Sequence, residues 1–194
     1  MKQSILFAAV LASLGTARAQ VPLLGIPTGI PAAVSLPVEA PILFDSGGAQ
    51  ISTILFSVDF DEECLAFDPT DADLDGLPDT IVFDLPPQFV GTVNFNGEDE
   101  DGELDFTIVD LLPPLAALPD GFLVTMTFVP ICEPVGVAII APVLFSTDPP
   151  VSFGGTTGLG VPGTSLGGSI QIDSPIFIDG FESGDMSAWS GVVP

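Results

Sequence analysis

Short apolar runs with a period of two are the strongest structural signal in this sequence. In residues 54–60 (ILFSVDF), isoleucine, phenylalanine and valine occupy every second position. This period is typical of a β-strand with one buried and one wetter face. Proline, glycine and aspartate separate the runs, and no stretch has a helical period. Further strands are predicted at residues 80–85, 90–95, 104–109, 122–129, 135–141 and 169–172.

Eight or nine short strands with frequent turn signals favour an antiparallel β-sandwich over a parallel α/β sheet. Hydrophobic residues make up 47% of the chain and it contains fifteen phenylalanines, which is far from the composition of disordered chains. We therefore predict one sandwich domain over residues 33–173. Residues 20–32 contain three prolines and are predicted to be an extended lead-in. The glycine-rich stretch 154–168 is predicted to be a flexible loop, because no lysine follows that would make it a phosphate cradle.

The amino terminus has the pattern of a secretory signal. A charged start (MKQS) precedes an apolar run, and Ala17-Arg18-Ala19 matches the small-residue cleavage pattern. Residues 1–19 are therefore predicted to be a signal peptide, and the protein to be secreted or held at the cell surface. No later apolar run reaches the roughly 18 residues that a membrane span requires.

The exported chain has no cationic side chain. Lys2 and Arg18 are the only lysine and arginine, there is no histidine, and all 26 acidic residues follow the predicted cleavage site. Without cations the chain is not expected to bind nucleic acid or anionic lipid by charge. Serine or cysteine nucleophiles activated by histidine, lysine Schiff bases and histidine-bound zinc are excluded for the same reason.

Catalysis by carboxylates or by oxygen-bound metals is the remaining enzymatic chemistry. A pair of glycosidase carboxylates needs a sugar cleft lined by aromatic platforms. The chain has no tyrosine and one tryptophan, Trp189, which lies near the end of the sequence. We therefore predict a protein that is not an enzyme.

The sharpest local motif is DADLDGLPD, at residues 71–79. Its Gly76 occupies the sharp-turn position of an EF-hand-type calcium loop, whereas Val82 stands where a closing acid is expected. Calcium prefers six to eight oxygen ligands, which alternating aspartates around a glycine turn supply. The alternative is a solvated acidic turn. The predicted calcium ligands are Asp71, Asp73, Asp75, Leu77 through its carbonyl, and Asp79.

The sequence contains a second acidic stretch, at residues 96–105. Residues 96–105 (NGEDEDGELD) lie between two strand signals and are predicted to form a hairpin turn with solvated charges. A weak auxiliary cation site is the alternative.

Cys64 and Cys132 are the only cysteines, and an even count in an exported chain favours a disulfide over two buried thiols.

The order of the sequence motifs resembles the cohesin domains of bacterial secreted proteins. The matching segments are VSLPVEAPILFDSGGAQISTILFSVDFDEECLAF, then PDGFLVTMTFVPIC, and a closing GGSIQI. The resemblance covers roughly residues 33–172 and implies a nine-stranded jelly-roll β-sandwich, related in shape to cellulose-binding modules. It also implies a non-catalytic role in docking a dockerin-bearing protein, often within polysaccharide-degrading assemblies. The acidic loop at 71–79 and the lack of basic residues depart from the family pattern.

The closing segment, residues 174–194, is similar to the DGFESGD tails of many secreted proteins of Gram-negative bacteria. A sorting tag and a disordered remnant are its two interpretations.

For the whole chain, the two alternatives to a docking module are a carbohydrate-binding module and a structural envelope or matrix protein bridged by calcium. A planar strip of exposed phenylalanines would favour sugar, and buried phenylalanines would favour a protein partner.

Overall fold

The computed structural model describes residues 21–95 and 102–173. The predicted signal peptide, the tail 174–194 and residues 96–101 lie outside the described residues. Within the described part, all regular structure is β, and no helix is long and apolar enough to cross a membrane.

The described residues form fourteen strands, more than the nine expected because several short segments pair at the sheet edges. In chain order the strands are β1 (Leu23–Gly25), β2 (Ile30–Ala32), β3 (Val38–Asp45), β4 (Ile51–Phe60), β5 (Leu65–Phe67), β6 (Ile81–Phe83), β7 (Phe89–Phe95), β8 (Glu103–Asp110), β9 (Gly121–Pro130), β10 (Ile139–Phe145), β11 (Ser152–Gly155), β12 (Gly160–Val161), β13 (Thr164–Leu166) and β14 (Gly168–Ile172).

The strands form two sheets, which confirms the predicted β-sandwich. The six-stranded sheet has the order β13-β1-β3-β9-β5, with β6 also paired to β9. The eight-stranded sheet contains β12-β11-β4-β10-β14-β2, and β8 pairs with β4 and with β7. Strands β7 and β8, on either side of the acidic stretch predicted to be a hairpin turn, pair antiparallel. Residues 96–101 of that stretch lie outside the described residues.

Alternation along the strands places the core between the two sheets. In β3 the buried positions alternate with more exposed ones over all eight residues, and β8 has the same pattern. Phenylalanine rings fill much of the interior: the ring centroids of Phe56 and Phe106 lie 4.8 Å apart, and those of Phe60 and Phe128 lie 5.0 Å apart. Such burial of aromatic surface is the main source of stability in a sandwich of this kind.

The predicted lead-in contributes to both sheets. Strand β1 pairs in parallel with β13 and antiparallel with β3, and β2 pairs in parallel with β14. The chain therefore crosses from one sheet to the other between Gly25 and Ile30, beside the β13–β14 segment and in the same direction. Proline in this segment is compatible with short edge strands.

The strand predicted at 135–141 is wrong in its position, because the structure places it at Ile139–Phe145. Val135 and Val137 are 88% and 76% exposed, and Gly136 between them has a positive φ of 74°. A backbone in that region leaves the strand conformation. The buried alternation begins later, at Ala141, Val143 and Phe145.

The prediction of a flexible loop at 154–168 is also wrong. This stretch contains the end of β11, all of β12 and β13, and the start of β14. Its glycines allow close packing: a Cβ at Gly163 would lie 2.3 Å from the ring of Phe153, and one at Gly168 would lie 2.1 Å from the carbonyl oxygen of Pro27. Glycine at such positions marks close approach of another chain segment.

Candidate functional site

The acidic loop interrupts a single edge strand of the six-stranded sheet. Phe67, the last residue of β5, is paired with Phe128. The next position of β9, Thr127, donates its N–H to the carbonyl of Thr80 at 2.9 Å, and Ile81 then pairs with Met126. Residues 68–79 are therefore looped out between two neighbouring register positions.

Hydrogen bonds close the neck of this loop. The hydroxyl of Thr80 donates to the carbonyl of Asp68 at 2.7 Å, and the N–H of Asp79 donates to the carbonyl of Thr70 at 2.8 Å. The hydroxyl and the N–H of Thr70 both donate to the carboxylate of Asp68, which lowers the pKa of Asp68 below its ordinary value. The loop is thus fixed at its base independently of its tip.

Three of the predicted calcium ligands converge at the tip. Carboxylate oxygens of Asp71, Asp73 and Asp79 all lie within 4.8 Å of one another. Asp75 is not a member of this group, and its carboxylate accepts the N–H of Leu77 at 2.8 Å. Hard carboxylate oxygens gathered in this way fit the preference of calcium for oxygen ligands.

The loop backbone is shaped around these carboxylates. The N–H groups of Gly76 and Asp75 donate to Asp71 at 2.9 and 3.2 Å, and the N–H of Ala72 donates to Asp79 at 3.3 Å. Leu74 and Gly76 have positive φ values of 64° and 91°. Val82, at the closing position of the motif, is held in β6 opposite Thr125 and is 60% exposed.

Cys64 and Cys132 form a disulfide, with their Cα atoms 4.6 Å apart. The bond ties the residue before β5 to the segment after β9. It therefore fixes the edge of the sheet from which the acidic loop leaves.

The outer face of the eight-stranded sheet is a second candidate surface, which we call the docking face. Its apolar members Leu55, Val90 and Leu144 are 45%, 47% and 47% exposed. The strand register places its residues in rows across β7, β8 and β4: Val90 with Val109 and Thr53, Thr92 with Thr107 and Leu55, and Asn94 with Asp105 and Ser57. The face is open around Leu55, Val90 and Leu144, whereas Ser57 is only 2% exposed.

Carboxylates border the apolar part of the docking face. Glu103 lies opposite Asp59 and two residues from Asp105, which accepts a hydrogen bond from Ser57. The pKa of Glu103 is raised, first by burial and then by the charges of Asp105 and Asp59, against the lowering effect of Ser57. Its Oε1 atom is buried and has no hydrogen-bond partner in the described residues.

Next to these carboxylates, a depression of about 250 Å³ lies between the docking face and the segment Pro149–Pro150. It is lined by Leu55, Asp105 and Thr107 among others. One sequence feature indicates this face: Leu55 is an apolar residue on the wetter side of the alternation in residues 54–60.

Most phenylalanines are part of the core. Twelve of the fifteen lie in the described residues. Eight are buried and three more pack against the core, so only Phe122, at 53%, is largely exposed among the described residues. The described surface therefore has no strip of aromatic rings on which a sugar chain would stack.

Comparison with known proteins finds no matching family model and no matching curated protein. Solved structures do match. The sixth cohesin from scaffoldin B of Acetivibrio cellulolyticus, in complex with a Cel5 dockerin variant, superposes with a TM-score of 0.59 at 22% identity, covering 79% of this chain and 100% of that one. The chain has the fold of a cohesin.

Two further cohesins support this assignment. CaCohA2 of Clostridium acetobutylicum, in its complex with CaDoc0917, has a TM-score of 0.61 at 12% identity over 79% of this chain and 100% of that one. A cohesin module from a family 33 glycoside hydrolase of Clostridium perfringens has a TM-score of 0.54 at 11% identity over 80% and 97%. Coverage of these modules is nearly complete, so the resemblance extends to the whole cohesin sandwich.

Proposed function

We propose that this protein is a secreted or cell-surface docking module that binds a dockerin-type protein and catalyses no reaction. The cohesin fold supports this, since several of the similar cohesins were solved in complex with dockerins. The predicted signal peptide is consistent with an extracellular role for the protein. Participation in a polysaccharide-degrading or surface-bound assembly is part of the same proposal.

The observation that supports the proposal is the open, partly apolar area of the docking face around Leu55, Val90 and Leu144. It combines partly exposed leucine and valine side chains with hydroxyls and carboxylates on a rigid sheet. Protein interfaces have this composition of an apolar centre and a polar rim. Because the exported chain has no cation, we expect the partner to supply lysine or arginine opposite Glu103 and Asp105.

Binding to a protein is favoured over binding to sugar by the burial of the phenylalanines. A carbohydrate-binding face uses aromatic rings in a row, and the described residues expose one such ring. The rows of the docking face contain valine, leucine, threonine and asparagine instead.

The test is a binding assay against recombinant dockerins from the same genome and from the cohesin complexes named above. We expect at least one dockerin to bind the exported chain with a micromolar or lower Kd, measured by calorimetry. Leu55→Asp should weaken that binding at least tenfold, because it places a charge in the apolar centre. The matched control is Leu36→Asp, at a leucine that is 60% exposed but lies in the turn before β3.

The proposal fails if no dockerin binds, or if Leu55→Asp and Leu36→Asp bind equally well. Retention of the protein on insoluble cellulose or xylan, with no dockerin binding, would support the carbohydrate-binding alternative instead.

We further propose that the acidic loop binds one calcium ion through Asp71, Asp73 and Asp79, with Asp75 and the carbonyl of Leu77 as additional donors. The convergence of three carboxylates supports this. With Val82 held in β6, no acid closes the site, so we expect a Kd of about 10⁻⁴ to 10⁻³ M, the range of extracellular modules.

Calorimetric titration with calcium tests the loop, alongside thermal melts with and without the ion. We expect binding heat and a rise in Tm for the exported chain, and loss of both in Asp73→Asn. Asp148→Asn, at an exposed aspartate outside the loop, is the control and should bind as the unmodified protein does. The absence of heat at millimolar calcium would identify the loop as a solvated turn.

A further inference from the structure

A β-bulge in β9 changes the direction of one phenylalanine. Ile42 is paired with Val124, but the next residue, Leu43, is paired with Phe122. Leu123 is therefore an extra residue in β9 with no partner in β3. Bulges of this kind redirect side chains and are frequent beside functional sites.

Without the bulge, Phe122 would lie in the core. The residues of β9 at positions 124, 126 and 128 are buried, and strict alternation would bury position 122 as well. Because of the bulge, Leu123 is buried in its place, at 1% exposure, and Phe122 is 53% exposed. The neighbouring Gly121 has a positive φ of 142°, which favours glycine.

Phe122 stands between two depressions on the outer face of the six-stranded sheet. One, of about 470 Å³, is lined by Pro27, Ile30, Glu39, Pro41 and Thr125 as well as Phe122. The other, of about 330 Å³, also includes Phe122 and is bordered by Asp84, Pro86, Pro119 and Asp120. The ring is thus a ridge with an open pocket on each side.

Other exposed apolar side chains continue from this ridge. Across the sheet, Phe122 lies opposite Leu43, which is opposite Gly25 and then Leu166. Leu43 and Leu166 are 38% and 61% exposed, and Val82 in the adjacent row is 60% exposed. We call this set of side chains, Phe122, Leu43, Leu166 and Val82, the Phe122 surface.

Every charged group at the border of the Phe122 surface is an acid. Glu39 lines one depression, and Asp84 and Asp120 line the other. The N–H of Ser46 donates to Asp120 at 2.7 Å and keeps its pKa below the ordinary value. No cation of the exported chain is available to neutralise these groups.

We propose that the Phe122 surface is a second docking site, which holds a segment of another protein that carries an apolar side chain next to lysine or arginine. The apolar side chain enters a depression beside Phe122, and the cation lies against Glu39 or Asp84. This surface is on the opposite sheet from the docking face, so the module would bridge two proteins.

Charge argues against a second copy of this chain as the occupant. Face-to-face association of two copies would bring Glu39 and Asp84 towards carboxylates of the same sign, with no cation between them. A sugar chain is also disfavoured, because the residues that follow Phe122 in its row are Leu43 and Gly25 rather than further rings.

The test is selection of a phage-displayed library of random dodecapeptides on the immobilised exported chain, with counter-selection on Phe122→Ser. We expect enriched peptides in which an aromatic or aliphatic residue stands within a few positions of lysine or arginine. Synthetic versions should bind with micromolar Kd, and their affinity should fall as sodium chloride rises. Phe122→Ser should weaken binding at least tenfold, and the double variant Glu39→Gln/Asp84→Asn several-fold.

Two controls separate this site from the docking face and from misfolding. Leu55→Asp should bind the selected peptides within twofold of the unmodified chain, whatever it does to dockerin binding. Phe122 is exposed, so Phe122→Ser should keep the circular dichroism spectrum and the Tm of the unmodified chain. If the serine variant unfolds, Phe122→Lys repeats the test with a soluble side chain on the same face.

The proposal is overturned if no peptide enrichment depends on Phe122, or if the enriched peptides lack lysine and arginine. It is also overturned if the chain forms a concentration-dependent dimer that Phe122→Ser abolishes. A shift of the NMR signals of the Phe122 surface by cello-oligosaccharides, and not by peptides, would overturn it as well.

Discussion

At the scale of single residues, Gly168 shows how closely two segments of the chain approach. It begins β14 beside the connection between β1 and β2, and a Cβ there would lie 2.1 Å from the carbonyl oxygen of Pro27 and 2.6 Å from that of Ile26. Both contacts are with backbone, so neither neighbour can rotate away. Gly160, in the same glycine-rich stretch, has nothing within 4 Å of its Cβ position.

We therefore expect Gly168→Ala to destabilise the protein by about 1–3 kcal/mol, the usual cost of overpacking. Gly160→Ala should change the free energy of unfolding by less than about 0.5 kcal/mol, as ordinary surface changes do. Chemical denaturation of both variants measures the difference. Equal effects would mean that the glycines of this stretch serve flexibility after all.

Asp110 is a buried acid with two backbone donors. The N–H groups of Ala116 and Leu112 donate to its carboxylate at 2.6 and 2.9 Å, and they lower the pKa of Asp110 below its ordinary value. A lowered pKa contributes stability that is present above the unfolded value, about 3.9, and is lost as the pH falls through the folded value. Asp110→Asn should therefore lower the Tm at pH 7, and the gap should narrow below about pH 4. A gap that persists in acid would indicate a purely steric effect.

The pKa of Glu103 is shifted in the opposite direction from that of Asp110. Burial raises its pKa, so its contribution to stability is present below the unfolded value, about 4.3, and is lost as the pH rises through the folded value. As the pH rises, burial of this carboxyl group therefore makes the folded protein less stable than an uncharged side chain at position 103 would. We expect Glu103→Gln to raise the Tm at pH 7 and to leave it unchanged near pH 3. A lower Tm at pH 7 would show that the charged form has a partner worth more than its desolvation.

At the scale of elements, the acidic loop lies outside the hydrogen-bonded ladder of the six-stranded sheet. Phe67 and Thr80 flank it at adjacent positions along β9. The sequence motif predicted the turn and its carboxylates, because the aspartate spacing and Gly76 are local features. It did not show that β5 and β6 are two parts of one edge strand, since that depends on register with β9, more than 40 residues away.

Deletion of residues 68–79, with Phe67 joined to Thr80, should leave the sandwich intact. We expect the circular dichroism spectrum to be unchanged and the Tm to stay within a few degrees, because a loop closure is removed and no core residue is lost. The calcium response should disappear. Control deletion of the shorter segment 72–75 should remove the calcium response too but leave the neck hydrogen bonds. Failure of the first deletion to fold would show that the loop supports the edge strand.

At the scale of the whole molecule, charge of one sign acts against the compact state. The 26 acidic residues have no cationic counterpart in the predicted exported chain, so folding brings like charges together. Sodium chloride shortens the Debye length from about 10 Å at 0.1 M to about 3 Å at 1 M. We expect the Tm of the exported chain to rise by several degrees over this range, measured by calorimetry. A Tm that is constant or falls would mean that the carboxylates are already neutralised, either by bound ions or because some of them are protonated.

The sequence by itself determined the all-β class, the sites of most long strands and the acidic character of the surface, because period-two alternation and composition are local properties. The tertiary structure alone decided where the lead-in pairs, why the glycines at 163 and 168 are needed, and which sheet faces remain open. It also decided the direction of Phe122, since the sequence has three consecutive apolar residues at 122–124 and only the pairing with β3 determines which of them is exposed. These features depend on contacts between distant segments, and a side chain's exposure follows from what packs over it rather than from its neighbours in the chain.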